Sequence, residues 1–353
     1  MKIHRRDLLA TFGALFFSLR QGIAKSANES PLFASAYMDR YKRFGIAILD
    51  HDGHIIDQYP LPSRGHGIVS TRSSSWVVTF ARRPGTFAFA LRRDREKEPV
   101  LFKTPLHTHF YGHGAFSKDE KFLFTTENEY ENGTGLIGIY NAVDSFARVG
   151  EFPSYGIGPH EIILMPDGRT LCVANGGIVT HPDTGRRKLN LHTMQSSIAF
   201  IDSHHGKLIT RLDVPEWLHH LSLRHMAVDD RQTVWLGGQY QGAHQGDDVP
   251  LIAKANLEEG LTFPSFDPSH IMSMKNYIGS VASSADGQKI AFTSPKGNSF
   301  LVIDSAGGIF SKERVEAVCG VASFGKSFAI SGMNGQWNHR NYETHWDNHM
   351  IAL

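Results

Sequence analysis

The chain has 353 residues and a mass of 39.3 kDa, and its 36 Lys and Arg against 35 Asp and Glu give a net charge of +1. This near-neutral balance excludes a generally basic nucleic-acid binder, so no nucleic-acid partner is expected. A hydrophobic content of 41% is enough to close a core and excludes a disordered chain. Two cysteines exclude a disulfide-stapled scaffold and a cysteine-rich metal cluster.

Residues 1–24 predict a twin-arginine signal peptide. Arg5-Arg6 precedes an apolar run, Leu8 to Leu19, that is shorter than the roughly 20 residues needed to span a bilayer. Gly22-Ile23-Ala24 offers a small-residue cleavage site. We therefore expect a periplasmic protein, exported by the twin-arginine route, with no membrane span after cleavage and a net charge of −2. The alternative is an amphipathic N-terminal helix of a cytoplasmic protein.

Residues 31–353 predict one all-β domain. Short runs rich in Val, Ile, Phe and Thr recur between turn signals, and no long amphipathic helix interrupts them. Six segments repeat the same order of apolar strand, tight turn and second strand. They begin at His66, His113, His160, His225, Ser280 and Gly320. Their spacings of 40 to 65 residues are typical of propeller blades.

The two ends of the domain predict how the ring closes. Residues 33–62 contain three further strands without a partner, and residues 348–353 end the chain on an apolar strand. Pairing between these termini would close a seven-bladed β-propeller, with six blades as the alternative. We expect a monomer.

Four equivalent repeat positions are histidines. The first strand of each propeller blade lines the central channel, so His66, His113, His160 and His225 are expected at one height around it. A thiol-free histidine set suits a transition metal, with iron, copper and zinc as candidates. The alternative is that each imidazole bonds backbone groups and channel water. Ser280 and Gly320 at the remaining positions predict that one side of the ring is open.

Polar residues are expected to surround these histidines, because the second strand of each hairpin returns to the same mouth. We interpret Glu127 and Glu161 as charge-balancing carboxylates, and Arg64 and Arg224 as anion clamps. The complete predicted rim is Arg64, Glu127, Asn128, Glu161, Asn175, Arg224, Gln239 and Tyr240. The alternative is the ordinary polar rim of a propeller.

Four other segments have simpler interpretations. The insertion 178–195 is either a lid over the channel or a surface excursion, and the tail 337–349 is expected to pack over the ring closure rather than contribute ligands. Residues 133–138 match G-x-G-x-x-G but lead into a strand, so we expect a hairpin and no nucleotide. Cys172 and Cys319 lie three blades apart, which predicts no disulfide.

Several motifs resemble a bacterial family of unknown function, and the similarity extends over nearly all of residues 31–353. They include Phe110-Tyr111-Gly112-His113-Gly114, Gly158-Pro159-His160-Glu161 and Leu223-Arg224-His225. The resemblance implies an exported seven-bladed propeller of the quinoprotein amine dehydrogenase-like or YVTN-like type. It also implies genes beside imelysin-type and di-haem proteins, which makes periplasmic iron-uptake proteins the expected partners. It provides no catalytic residues.

These observations favour a periplasmic propeller that binds a transition metal, iron in particular, or a metal chelate at a histidine-lined channel mouth. Its expected role is accessory to metal uptake. Two alternatives belong to other classes: a scaffold that docks a partner protein through the same rim, and a metal-dependent hydrolase or oxidoreductase. No catalytic residue is predicted.

Overall fold

The computed structural model describes residues 32–185, 187–243 and 249–353. Within these ranges, 28 strands form seven antiparallel four-stranded sheets, which are the blades of a propeller. The predicted signal peptide at residues 1–24 lies outside the described residues.

The first half of the chain forms the outer part of blade 7 and then blades 1 to 3. Blade 7 begins with β1 (Phe33–Asp39), β2 (Phe44–Leu49) and β3 (Ile55–Leu61). Blade 1 contains β4 (Gly65–Ser70), β5 (Trp76–Ala81), β6 (Phe87–Arg92) and β7 (Val100–Lys103). Blade 2 contains β8 (Thr108–Phe116), β9 (Phe122–Glu129), β10 (Thr134–Asn141) and β11 (Ala147–Pro153). Blade 3 contains β12 (Pro159–Leu164), β13 (Thr170–Asn175), β14 (Ser197–Asp202) and β15 (Leu208–Asp213).

The second half of the chain follows the same order. Blade 4 contains β16 (Leu221–Val228), β17 (Val234–Tyr240), β18 (Ile252–Asn256) and β19 (Gly260–Thr262). Blade 5 contains β20 (Ser280–Ser283), β21 (Lys289–Ser294), β22 (Ser299–Asp304) and β23 (Ile309–Arg314). Blade 6 contains β24 (Val318–Phe324), β25 (Ser327–Gly332), β26 (Gln336–Trp337) and β27 (Arg340–Asn341). Finally, β28 (Thr344–Ala352) completes blade 7.

The inner strands form a closed ring. In ring order they are β4, β8, β12, β16, β20, β24 and β28; each contacts the next, and β28 contacts β4. The six repeat starts found in the sequence all lie in inner strands. The prediction of seven blades is therefore confirmed, and the six-bladed alternative is wrong.

Blade 7 joins the two ends of the described chain. Its inner strand β28 pairs antiparallel with β1, from Phe33 opposite Ala352 to Asp39 opposite Thr344. This confirms the predicted pairing of the termini. Because β28 is the inner strand and β1 to β3 are the outer three, the seam leaves no unpaired strand edge between the first and last segments.

Aromatic side chains fill the seam between blades 6 and 7. The Trp346 ring lies 5.2 Å from the Trp337 ring, 6.2 Å from Tyr37 and 5.6 Å from Tyr342, measured between centroids. Phe33 packs edge-on against Trp337 at 5.9 Å. Trp346 is 1% exposed, so its whole side chain contributes to closing the ring.

Helical structure is minor in the described ranges, where the one α-helix, α1, spans Pro268–Met272. The described part of the chain contains no helix with the length and hydropathy needed to cross a membrane. The G-x-G-x-x-G segment forms the turn before β10 and the first half of that strand, as the hairpin interpretation predicts.

Replacing Trp346 with alanine should weaken the ring closure strongly. Removing a fully buried tryptophan costs about 3–5 kcal/mol of unfolding free energy, because the lost contacts leave a cavity. The matched control is Trp217→Ala, since Trp217 is 73% exposed and its loss should change stability by no more than about 0.5 kcal/mol. Urea unfolding of both variants measures the difference, and equal losses would contradict this account of the seam.

Candidate metal centre

Irregularities in the inner strands turn histidines toward the channel axis. The pairing register shifts between Gly65 and Ile68 in β4, and between Phe110 and Gly114 in β8. Equivalent shifts occur beside His160 in β12 and beside His225 in β16, and another lies opposite residues 347–349 in β28. A β-bulge adds a residue to one strand and redirects its side chains, as at many functional sites.

Two glycines bring the first two inner strands unusually close together. A Cβ atom on Gly67 would lie 2.1 Å from the Gly112 carbonyl oxygen, and one on Gly112 would lie 2.7 Å from the His66 ring. Gly112 also has a φ of +107°, which L side chains rarely adopt. Gly67 thus lies at the close approach of β4 and β8, whereas Gly114 packs against Phe80 of blade 1.

Five imidazoles of the described residues meet at this level. The four predicted histidines are joined by His349 of β28, and all five are buried. Around the cluster the centroid distances are 5.2 Å from His66 to His113, 5.0 Å from His113 to His160 and 4.7 Å from His160 to His225. His349 closes the cluster at 4.8 Å from His225 and 4.5 Å from His66.

The fifth histidine corrects two expectations. The ring was expected to be open on the side of Ser280 and Gly320, but β28 lies between blades 6 and 1 and places His349 beside His66. The tail does more than pack, since it adds His349 and Asp347 to the cluster. The signal was present in the sequence, because Asn348 and His349 lie in the terminal strand predicted to close the ring and Asp347 directly precedes it. It was missed because β28 lacks the repeat pattern used to align the other inner strands.

Two acidic side chains contact ring nitrogens of two histidines in the cluster. Oδ1 of Asp347 accepts a hydrogen bond from Nδ1 of His66 at 2.9 Å, while Oδ2 accepts one from Nε of Arg64 at 2.6 Å. Nδ1 of His225 lies 3.1 Å from Oε2 of Glu161. Because an ionised carboxylate only accepts hydrogen bonds, the Asp347 contact fixes the proton of His66 on Nδ1 and leaves Nε2 as a lone pair.

Three ring nitrogens of the cluster are buried without a hydrogen-bond partner. They are Nε2 of His113, Nδ1 of His160 and Nε2 of His349. Such a group costs about 1–3 kcal/mol when it is left unsatisfied, so its presence calls for a ligand, water or ion. Ligand atoms of His113, His160, Glu161 and His225 lie within 4.8 Å of one another, as do those of His66, His113 and His349.

Burial keeps all five imidazoles neutral. It lowers the pKa of His66 to about 4 despite the opposing effect of Asp347, and burial together with Arg224 lowers the pKa of His225 to about 3. The pKa values of His113, His160 and His349 are also well below the usual range, again because of burial. Neutral imidazole is the form that binds metals, so the cluster needs to lose no histidine proton at neutral pH.

The pKa values of the Glu161 and Asp347 carboxyl groups are shifted in opposite directions. Burial raises the pKa of Glu161 to about 8. Burial also opposes ionisation of Asp347, but the hydrogen bond from His66 and the charges of Arg64 and Arg82 outweigh it and hold the pKa of Asp347 well below its usual range. Asp347 is therefore the permanent negative charge behind the cluster.

The structure places Glu127, which was predicted as a charge-balancing carboxylate of the rim, away from the histidines. Its carboxylate is fully buried within blade 2, where it accepts hydrogen bonds from Tyr140 at 2.7 Å and Arg148 at 2.9 Å. Successive side chains of a strand lie on opposite faces of the sheet. Glu127 therefore lies on the face where Tyr140 and Arg148 of the same blade contact it, and Thr126 lies on the other face. The Thr126 hydroxyl donates to the carbonyls of His113 and His160 at 3.2 and 3.4 Å.

The other predicted rim residues divide into two groups. Arg224 and Gln239 line the channel mouth with the histidines, and Glu161 and Arg64 contact the cluster or its carboxylate. Three others have structural contacts elsewhere: Asn128 donates to Thr180, Asn175 donates to Ser154, and Tyr240 packs near His220.

A small pocket of about 20 Å³ opens above the cluster at this mouth. Its lining combines cluster histidines with basic and polar side chains from the strands and from the segments beside them. They are His66, Arg82, Arg83, Tyr111, His160, Arg224, His225, Gln239, Tyr277 and Asn348. Three members of the cluster thus also line the pocket: His66, His160 and His225.

The described part of the 178–195 insertion packs beside this mouth. Ile178 is buried and its carbonyl accepts a hydrogen bond from Tyr111, while Asn190 donates to Gly177. Among the described residues, none of the insertion lines the pocket. The surface-excursion interpretation fits these contacts better than the lid does.

The fold and its site define a seven-bladed β-propeller with histidines converging at one mouth. Residues 59–353 match the family described as "Protein of unknown function (DUF1513)", and the chain belongs to that family. No curated protein sequence matches it. Hydrazine synthase of Kuenenia stuttgartiensis is similar in structure, with a TM-score of 0.60, 10% identity, and coverage of 89% of this chain and 96% of that one.

A second structural neighbour is the Cps50 (Swd1) beta-propeller domain of Myceliophteria thermophila. It has a TM-score of 0.60 and 10% identity, covering 92% of this chain and 98% of that one. At this level of identity, both neighbours support the propeller fold alone.

The buried histidines should make the metal-free protein sensitive to mild acid. The pKa of His66 is about 4 in the fold against 6.5 in a model peptide, so between these values the unfolded chain binds more protons and stability falls as pH drops. Glu161 acts in the opposite sense, because its raised pKa adds stability as pH falls from about 8. Five histidines outweigh one carboxyl group, so we expect a net loss of several kcal/mol between pH 7 and pH 5.

Urea unfolding with a chelator present, at pH 7 and pH 5, measures this loss. His349→Gln should reduce the pH dependence, because one buried imidazole no longer titrates. His204→Gln is the matched control, since His204 is exposed. A wild-type protein equally stable at both pH values would show that the cluster does not titrate as described.

Proposed function

We propose that the five-histidine cluster binds a transition metal ion. The observation that carries this proposal is the meeting of five buried, neutral imidazoles at one level of the channel, three of them with unpartnered ring nitrogens. A cluster that only satisfied backbone groups would have its nitrogens paired with protein atoms.

The ring separations support a shared ion. A nitrogen about 2.1 Å from a metal puts its ring centroid about 3.2 Å away, so two such rings at a tetrahedral angle have centroids about 5 Å apart. The neighbouring rings of the cluster are 4.5 to 5.2 Å apart. The fit extends to His113 and His349, at 4.6 Å.

The donor set favours iron, copper or zinc. Imidazole nitrogens suit these metals, whereas calcium and magnesium prefer oxygen ligands. Histidines that bind metals usually donate their other nitrogen to a carboxylate, which is the arrangement of His66 with Asp347. Glu161 would stand in the same relation to His225, or contribute an oxygen ligand itself, after losing the proton that its raised pKa retains. Cys172 and Cys319 are buried outside the proposed donor set.

We further propose that the protein works in the periplasm as an accessory to metal uptake, with iron as the favoured metal. The twin-arginine motif supports this location, since that route exports folded proteins and permits a metal to be loaded first. The neutral imidazole ligands support reversible binding, because ligand exchange can release the metal from them.

Loss of two central ligands should weaken metal binding strongly. The double variant His113→Ala/His349→Ala, made without residues 1–24, removes two unpartnered nitrogens and should lose at least tenfold in affinity for Zn²⁺ or Fe²⁺. The matched control is His204→Ala/His205→Ala, which removes two exposed histidines from the β14–β15 turn. Titration calorimetry at pH 7 measures both, and equal metal stoichiometry and affinity in all three proteins would end the proposal.

The proposed export is tested separately. Replacing Arg5-Arg6 with Lys-Lys keeps the positive charge but removes the paired guanidinium groups of the motif, and should leave the protein in the cytoplasm. Fractionation of cells expressing each form measures the periplasmic share. Equal export of the two forms would contradict the twin-arginine route and leave the metal site untouched.

A further inference from the structure

The pocket above the histidine cluster is lined by several basic side chains. Three of its lining side chains are guanidinium groups, from Arg82, Arg83 and Arg224. Within the described residues, no aspartate or glutamate lines the pocket beside them. We propose that this pocket binds a small oxyanion, of the carboxylate or phosphate type, next to the metal site. The inference rests on the proposed function for its position beside a metal, but not for the anion binding itself.

Arg224 is the central group of the proposed anion site. It is 7% exposed, although it carries a permanent charge, and it immediately precedes His225 in the bulge of β16. Its Nε donates to the Ser222 hydroxyl at 3.0 Å, and that hydroxyl donates in turn to the Gly176 carbonyl. This chain of hydrogen bonds orients the guanidinium plane, whose fork of donors matches an oxyanion.

Arg82 and Arg83 approach from the end of β5 on the opposite side of the pocket. The Arg82 guanidinium lies 3.9 Å from Oδ2 of Asp347, so that carboxylate offsets part of its charge. Arg83 lies over the Tyr111 ring at 5.6 Å from the centroid, which positions its side chain without neutralising it. Arg83 therefore keeps its positive charge at the pocket, which favours an anion.

Neutral donors complete the lining. Gln239 and Asn348 are buried at this mouth, and Asn348 lies 3.5 Å from the Tyr277 hydroxyl. Amide and phenol groups provide hydrogen bonds to an oxyanion and fix its orientation. The volume of about 20 Å³ holds about one water-sized group, so one oxygen atom of the oxyanion would enter the pocket and the rest of the ligand would remain at its open side.

The position of the pocket connects the two sites. His66, His160 and His225 line it from below, so an oxyanion held by the arginines lies beside the histidine ligands. A metal cation and a metal-bound anion attract each other, so each should bind more tightly in the presence of the other. The proposed substrate class is therefore a metal ion carried with a small oxyanion ligand.

Anion titrations of the protein without residues 1–24 test this inference. Acetate and inorganic phosphate are titrated separately by calorimetry, into metal-free and Zn²⁺-loaded protein. We expect one or both to bind the loaded protein, and Arg83→Gln and Arg224→Gln to weaken that binding at least tenfold while retaining the metal. The matched control is Arg231→Gln, which removes an exposed arginine from the β16–β17 turn at the other mouth and should change nothing.

The outcomes separate the two proposals. Arginine-dependent binding of acetate alone assigns the pocket to carboxylates, and of phosphate alone to phosphate groups. Arginine-dependent anion binding in a protein that takes up no metal upholds the pocket and overturns the metal site. Metal binding without any response to either anion, or with equal responses in all the arginine variants, overturns the anion pocket. Arg83 is only partly buried, so its variant keeps the test valid if Arg224→Gln fails to fold.

Discussion

The closure of the ring by β28 is the interaction on which the site depends. The terminal strand pairs with β1 along its length and contacts β4 on its other side, and it brings Asp347 and His349 against His66. Without this strand, the arc between blades 6 and 1 would be empty, and the cluster would lose one imidazole and its permanent carboxylate. The pairing of β28 with β1 therefore both stabilises the fold and completes the site.

The charges around the cluster are arranged in layers along the channel. Neutral imidazoles occupy the centre, Asp347 and Glu161 contact them from the strands, and the arginines stand at the mouth. A cation bound at the centre would be stabilised from behind by carboxylate and screened from the arginines by an anion in front. With an anion in place, the proposed metal site would tolerate the guanidinium groups beside its entrance.

The repeat pattern in the sequence was enough to predict the propeller, the six repeat-bearing inner strands and the level of four histidines. A residue's height in a propeller follows from its repeat position, but the direction of its side chain depends on bulges that no repeat spacing records. Glu127 illustrates this limit, since its partner Arg148 lies in another strand of the same sheet and holds it within blade 2. His349 illustrates another limit of the repeat pattern. The closing strand does not follow the repeat, and its position in the ring depends on its pairing with β1.

X-ray absorption at the metal edge tests the central claim most directly, on protein purified from the periplasm after export with no metal added to the preparation. Shared coordination predicts about one transition metal ion per chain, with nitrogen or oxygen ligands at about 2.0–2.2 Å, the multiple-scattering signature of imidazole and no sulfur ligand. A protein free of metal, or a metal whose spectrum lacks the imidazole signature, would contradict the assignment of the histidine cluster as a metal centre.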